Sequence, residues 1–398
     1  MVRILTFSTL FPSSMRPGHG IFVETRLREL VASGKVESRV VAPVPWFFSQ
    51  DPRFGSYARM AATPLREFRN GFDVLHPRFF IPPAIGMNMA PFALAAGAMR
   101  TVRKLLAEGY DFDVIDAHYY YPDGVAAALL GRHFGKPFTV TARGTDINLI
   151  AGHAIPRRLM QWASRRAEAS IGVSQALVRA MAGLGMPPGS LMLMPNGVDL
   201  RRFQMGTQVE ARAQLGWPAG PTLLSVGNLV ENKGHHIAIQ SLPTLSEFRL
   251  VIAGEGPERA ALENLARELG VASRVAFSGR VDQERLAVFY GASDMLLLPS
   301  SREGWPNVLL ESMACGTPVV ATNVGGVSEI VTSSDAGRMM DERTAEGLVA
   351  AVNDLWAHMP TRHAVRACAE GCSWQATTDA QVRLFRNISA QRKEPRHA

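Results

Sequence analysis

The stretch SSREGWPNVLLESMACGTPVVATNVGGVSEI, residues 300–330, carries a loop–helix–strand pattern together with two acids. The apolar run Met295, Leu296, Leu297, Leu298 precedes it and predicts a buried strand ending at Pro299. Glu303 and Gly304 follow. Pro306 is expected as the first helical residue, where its fixed φ is suitable and its missing amide costs nothing. A helix over 307–314 should then stop near Gly316, and a second strand should run over 319–321. Strand, loop, helix, strand is the repeating unit of a parallel sheet. The first amides of such a helix lack partners and make a ready anion site. Glu303 stands before the helix and Glu311 about one turn inside it. Carboxylates beside an anion site do not bind phosphate; they accept hydrogen bonds from neutral hydroxyls. One carboxylate for a sugar and one for a ribose is the economical reading.

Upstream, three more predicted strands end in loops with chemistry. SVGNLVENKGHH, residues 225–236, puts Lys233 in the loop after a strand over 222–226, with Gly234 opening a helix. Lysine there can meet a diphosphate as a point charge. AGEGPER, residues 253–259, is a glycine loop after a strand over 249–253, with Gly254 at its start. FSGRV, residues 277–281, ends a strand over 275–278 and sets Arg280 where a nucleotide base could pack. His235 and His236 are adjacent, would face different ways on a helix, and read as helix-start residues rather than metal ligands.

The first half keeps the same rhythm. Strands are expected over 2–7, 37–42, 113–117, 138–141, 169–173 and 191–194. Helices are expected over 22–32, 88–107, 124–134, 156–167 and 175–183. Residues 43–83 show no periodicity and read as an irregular functional excursion. A polar linker with a short helix is expected over 199–220. The chain thus divides into α/β domains over 1–200 and 201–372. Open α/β sheets bind ligands beyond the carboxyl ends of their strands, so two of them in tandem should face each other across a deep cleft. In the first domain His118 follows a strand, Gly18 and Gly20 flank His19 in a loop, and Arg143, Thr145 and Asp146 follow another strand.

Composition narrows the class. The 398 residues suit two domains at roughly 100–200 residues each. Hydrophobic residues at 47% fill two cores and exclude disorder as the main state. Three cysteines exclude a disulfide scaffold and fit a reducing, cytoplasmic setting. The first residues read as a strand, not a secretory leader. The most apolar run, residues 85–99, is too short to span a bilayer and contains Pro91. Net charge is +7, distributed as +8 over residues 1–200 and −1 over 201–398. A basic first domain suits an anionic substrate or peripheral contact with the inner face of a membrane. Arg157, Arg158, Arg165 and Arg166 share one helix face and are the candidate patch; a solvated face is the alternative. No basic stripe interleaves with aromatics, so no nucleic acid is expected. The tail, residues 391–398, is polar and expected to fray.

Together these segments resemble a known family. Glu303 and Glu311 match the E-x7-E signature of GT-B glycosyltransferases of the family 4 type. GNLVENKG, AGEGPER and EGWPNVLLESMACGTPVVAT resemble that family through the second half. FPSSMRPGHGIFVETRLREL, DVIDAHYYYPDGVAAAL, VTARGTDIN, IGVSQAL and PNGVDLRRF resemble its partner domain. The spacing of two glutamates alone occurs by chance; the ordered set of eight segments is specific. The first half looks most like enzymes of bacterial exopolysaccharide or teichuronic-acid assembly.

The resemblance implies two Rossmann-like domains and a hexosyltransferase that retains anomeric configuration. A C-terminal helix over 373–390 would cross back to the first domain. The second domain would bind a nucleotide-sugar co-substrate, with Lys233 and Asn228 at the diphosphate, Glu303 at the sugar hydroxyls and Glu311 at the ribose. The amides of Asn307, Val308 and Leu309 would support sugar or phosphate. Gly20 and Gly254 would let backbone approach the donor, and Arg280 would lie beside the base. His118 would touch the donor sugar near the reacting carbon. His19, Arg143 and Asp146 would line the side of a glycan or lipid-linked acceptor. The leaving diphosphate would take the acceptor's proton, so no cofactor and no metal are expected. The family usually has arginine where this chain has Asn228, and Arg302 or Arg143 would have to supply the missing charge. A sugar-nucleotide epimerase, a glycan phosphorylase and a non-catalytic sugar-nucleotide-binding subunit are the competing readings.

Overall fold

The computed structural model describes residues 1–81 and 86–393, with side chains through 392. The chain forms two compact units, one of residues 1–195 with 375–398 and one of residues 196–374. The end of the expected frayed tail, residues 394–398, lies outside the described residues, as do positions 82–85 of the excursion and the apolar run.

The second unit is a six-stranded, wholly parallel sheet in the order Val275–Gly279, Arg249–Ala253, Thr222–Val226, Met295–Leu298, Val319–Thr322, Gly337–Met340. Numbered along the chain within the unit this is 3-2-1-4-5-6, the doubly wound order. Helices cover both faces, so the central strands are buried on both sides and carry no polar alternation: Thr222–Val226 and Met295–Leu298 are buried throughout. Leu224, Leu296 and Leu309 fill one face, and Leu223, Leu297 and Ile239 the other. The strand order reverses between Thr222–Val226 and Met295–Leu298. Ligands of such sheets bind at that reversal.

The first unit is built on an eight-stranded sheet in the order Leu191–Leu193, Ala169–Gly172, Phe138–Ala142, Val114–His118, Val2–Phe7, Val36–Val41, Phe72–Leu75, Arg66–Arg69. Its pairs are parallel except the last, Arg66–Arg69 against Phe72–Leu75. The order reverses beside Val2–Phe7. The final helix, Trp374–Lys393, contributes Val382, Phe385 and Ile388 to the core formed by Ile4, Val23 and Val114.

Three expectations need correction. The excursion is not irregular. It holds a two-stranded parallel sheet of Val44–Pro45 with Arg78–Phe79, a helix Ser56–Ala62, and the two strands at the edge of the large sheet. Two-residue strands and the alternating REFR strand carry no hydrophobic run to detect. The strand Gly337–Met340 was not expected either, since GRMM carries an arginine at a sheet edge. Finally, Pro306 is the cap residue, with ψ 91, and the helix begins at Asn307.

Candidate active site

In the second unit the loops that leave the strands are joined edge to edge. Gly227 N donates to Ala253 O at 3.0 Å, Leu229 N to Glu255 O at 2.9 Å, and Gly254 N to Gly279 O at 2.8 Å. A Cβ on Gly254 would lie 1.8 Å from Gly227 O, so the second loop can touch the first only with glycine there. The buried His235 fixes the first loop from beneath. Its Nδ1 meets Ser225 Oγ at 2.9 Å and its Nε2 meets Asn228 O at 3.2 Å. Burial pushes its pKa down to about 4, so the ring is neutral and serves as a hydrogen-bonding strut.

The first and fourth strands bring Lys233 and Glu303 together. Ser301 N donates to Asn232 O at 2.8 Å, which ties the two loops. Lys233 Nζ then meets Glu303 Oε1 at 2.7 Å. The pair sits at the reversal of strand order, the place where the sheet topology puts a ligand. Glu311, half-buried on the helix Asn307–Ala314, accepts a hydrogen bond from Tyr290 Oη at 3.0 Å. Burial raises its carboxyl pKa to about 7, against the lowering by the Tyr290 hydroxyl and the Arg202 charge. Tyr290 carried no site signal in sequence, since it lies in the apolar run AVFYGA.

The amides expected at the helix start are not equivalent. Leu309 is fully buried and its N donates to Pro306 O at 3.1 Å, so this amide is used internally. Asn307 and Val308 keep part of their surface. Asn307 Oδ1 accepts from Asn196 Nδ2 at 3.2 Å, and Trp305 Nε1 donates to Asn196 O at 2.9 Å. Asn196 thus braces the helix start from a residue far away in sequence. Asn228, Arg280 and Arg302 are exposed on their loops. Asn228 brings no charge to the loop, as its identity implies.

In the first unit the predicted residues form a buried polar network. His118 is 1% exposed. Its Nε2 lies 3.2 Å from Asp116 Oδ2, and Arg143 Nη2 donates to its Nδ1 at 2.7 Å. Burial outweighs Asp116 and takes the imidazole pKa down to about 4. An Nδ1 that accepts from arginine leaves the proton on Nε2, facing Asp116. Asp116 is held in turn by Thr139 Oγ1 at 2.9 Å and Gln381 Nε2 at 3.1 Å, and Arg26 Nε donates to Gln381 Oε1 at 3.0 Å. His118 therefore has both ring nitrogens engaged rather than pointing freely from the strand end. Burial, with Arg26 nearby, lowers the Arg143 pKa to about 9.

Asp146 is also inward. Its carboxylate accepts from the amides of Tyr120 at 2.6 Å, Gly144 at 2.8 Å and Arg143 at 3.1 Å, while Thr145 is exposed. It shapes the loop that carries Arg143. His19 Nε2 meets Thr9 O at 3.2 Å, and burial with the Arg16 charge lowers its pKa to about 4. Gly20 has φ 72, and a Cβ there would lie 2.2 Å from Leu10 O, so both conformation and space require glycine. Sequence reading missed Asp123. It is fully buried at the order reversal of this sheet, where Thr9 N donates to it at 2.7 Å and Ser8 Oγ at 3.3 Å. Burial raises its pKa to about 8. The motif DVIDAHYYYPDG contains it but gave it no role. Among the described residues, no helix is long and apolar enough to cross a membrane.

Comparison with known proteins identifies the family. Residues 208–370 match the family described as glycosyl transferases group 1, and residues 87–202 match glycosyltransferase family 4. A D-inositol 3-phosphate glycosyltransferase of Acidothermus cellulolyticus is 31% identical over 310 residues, 71% of this chain and 68% of the relative. A Bacillus subtilis protein assigned to teichuronic acid biosynthesis, the glycosyltransferase TuaC, is 29% identical over 337 residues, 83% of each chain. Sucrose-phosphate synthase of Thermosynechococcus elongatus shares the fold with a TM-score of 0.82 at 22% identity, covering 98% of this chain and 100% of that one. Anabaena HepE, solved in complex with UDP, does so at 0.72 and 18%, covering 97% and 100%. The doubly wound sheets, the family matches along 87–370 and the relative of similar length lead to one conclusion: this chain belongs to the group 1, family 4 glycosyltransferases of the GT-B fold.

Proposed function

We propose that the enzyme transfers a hexosyl group, with retention, from a nucleoside diphosphate sugar to a glycan or lipid-linked acceptor in cell-surface polysaccharide assembly. The observation that carries this is the Lys233–Glu303 pair at the order reversal of the second sheet, with Glu311 on the helix that follows. Lys233 meets the diphosphate, Glu303 the sugar hydroxyls and Glu311 the ribose. In the first unit burial keeps His118 neutral against the pull of Asp116, and its bonds to Asp116 and Arg143 fix one tautomer; to serve the sugar, its Nδ1 exchanges the Arg143 hydrogen bond for one from a sugar hydroxyl. In the transfer step the bond from the sugar's anomeric carbon to the diphosphate oxygen breaks. A bond to the acceptor oxygen forms on the same face, and the acceptor's proton passes to the departing diphosphate. Positioning and stabilisation of the leaving charge then do the catalysis. HepE was solved with UDP and with UDP-glucose, which makes UDP the first nucleotide to try. The assignment of TuaC to teichuronic acid biosynthesis supports a cell-surface polymer as product.

Calorimetric titration with UDP, GDP and ADP in EDTA tests the donor site. One nucleotide is expected to bind well, and Glu311→Ala should weaken it about 10- to 100-fold, the worth of charged hydrogen bonds to a ribose. Failure of all three to bind would sink the assignment and put Asn228 forward as a disabling change. Binding that survives Glu311→Ala would remove Glu311 from the site.

A further inference from the structure

The first unit gathers three arginines that no carboxylate answers among the described residues. Arg16 closes a tight turn, with its N donating to Ser13 O at 3.0 Å, and its carbonyl accepts from His19 N at 3.1 Å. Arg59 is exposed on the helix Ser56–Ala62. Arg78 Nη2 donates to the carbonyls of Ala61 and Thr63 at the end of that helix. Arg78 is thereby tied to the helix that carries Arg59, and burial, then the charges of Arg59 and Arg78, hold the Arg16 pKa below its usual range, so both lie within electrostatic reach of Arg16. Arg16 Nε and Arg78 Nη1 are buried without a hydrogen-bond partner. Glu67, which touches the neighbouring Ser14 N at 3.0 Å, is engaged by His76 Nε2 at 2.9 Å. Buried guanidinium donors normally find acceptors, and like charges normally avoid one another. An anion seated among the three would answer both.

The surface beside them is aromatic. Tyr57 shares the helix of Arg59, and Phe80 follows the strand that carries Arg78. The Trp46 ring lies 6.2 Å from that of Phe80, and Phe48 lies 5.4 Å from Phe54. Trp46 is 51% exposed, Phe48 68%, Tyr57 57% and Phe80 58%. Exposed Trp, Phe and Tyr bordered by arginine is the composition of surfaces that rest in a lipid headgroup layer. The helix with Arg157 and Arg158, the sequence candidate for this role, carries no such group of rings; Arg157 there donates to Ala151 O at 2.8 Å.

We propose that Arg16, Arg59 and Arg78 form a phosphate-binding site, and that its ligand is the phosphate of an acceptor borne on an amphiphile whose apolar part lies along the Trp46 and Phe80 rings. The role as acceptor rests on reading the first unit as the acceptor side; the phosphate site does not. A soluble phosphorylated sugar offers the same phosphate chemistry without the apolar part.

Two measurements on the full chain separate these cases. With the donor site saturated by the nucleotide selected by titration, inorganic pyrophosphate is expected to raise the melting temperature of the wild type further and not that of R16Q/R59Q. Phosphatidylcholine vesicles containing phosphatidic acid are expected to bind the wild type about tenfold more tightly than vesicles without it, since each arginine at an anionic surface contributes a several-fold gain. R16Q/R59Q should lose that preference. R59Q alone, at an exposed position, should lose part of it and guards against misfolding, as does unchanged nucleotide titration in both variants. A pyrophosphate response without vesicle preference would overturn the lipid part and leave a soluble phosphate ester as ligand. Equal behaviour of wild type and R16Q/R59Q in both measurements would overturn the site. Absence of nucleotide binding in the wild type would undo the donor reading while leaving this result standing.

Discussion

Lys233→Met is expected to lower kcat about 10²- to 10³-fold, the usual cost of removing one preorganised group from a developing charge. Affinity for the nucleotide sugar should fall much less. The reason is where the ammonium sits. Its stem lies against Gly227, where even a Cβ would come within 3.6 Å of its methylenes, and its head is fixed 2.7 Å from Glu303. A cation held this way does not reorganise when the diphosphate leaves. The ground state carries the same diphosphate with its charge shared along the ester, so the demand on Lys233 rises as the bond to the sugar breaks. Asn228, exposed and uncharged on the same loop, cannot share the task. Steady-state kinetics with the donor selected by titration decides the matter. A variant that turns over within about threefold of wild type would place Lys233 outside the chemistry.

Donor affinity should also rise with pH, and Glu311 should be the cause. Its carboxyl in the free protein titrates at about 7, because burial resists ionisation more than Tyr290 and Arg202 favour it. Ribose hydroxyls donate, so the bound state prefers the carboxylate. Binding must therefore release a proton at low pH, and affinity should improve about tenfold from pH 6 to pH 8 before levelling. A nucleotide sugar such as UDP-glucose is the proper probe. Its diphosphate is esterified at both ends and has no ionisation of its own in that window. Glu311→Gln should bind weakly and show no such slope. Stability provides an independent reading of the same group. The folded state keeps this proton to about pH 7 and an unfolded chain gives it up near the ordinary value of 4.5, so the folded state loses stability as pH rises between the two. Glu311→Gln should flatten that part of the urea midpoint against pH. A wild-type slope that survives Glu311→Gln would assign it elsewhere, with Asp123 as the next candidate.

The sheet that carries Lys233 and Glu303 was legible because its central strands are buried on both faces. Thr222–Val226, Arg249–Ala253 and Met295–Leu298 appear where the apolar runs put them. Glu303 and Glu311 stood out because a helix start with a proline and two acids needs a reason. What stayed hidden depends on partners remote in sequence. Nothing about Asp123 says that Thr9 will donate to it across the sheet. Nothing about His118 says that Asp116, Arg143 and the distant Gln381 will enclose it. Arg16, Arg59 and Arg78 are unremarkable until a two-residue strand and a seven-residue helix bring them together. Elements that short bury too little to leave a periodic signature.

The place of Phe385 sets a timetable for synthesis. Phe385 is fully buried among Ile4, Val23 and Val114, yet residues 196–374 must be translated before it exists. At about 5–20 residues per second this takes on the order of ten to forty seconds. During that time the nascent first sheet has an uncovered apolar surface where Val382, Phe385 and Ile388 will lie. A chain ended after Gly371 would remain in that state permanently, and is expected to be captured by chaperones or to aggregate while residues 196–371 resist protease. A soluble, protease-resistant first unit in such a truncation would show that the sheet does not wait for its last helix.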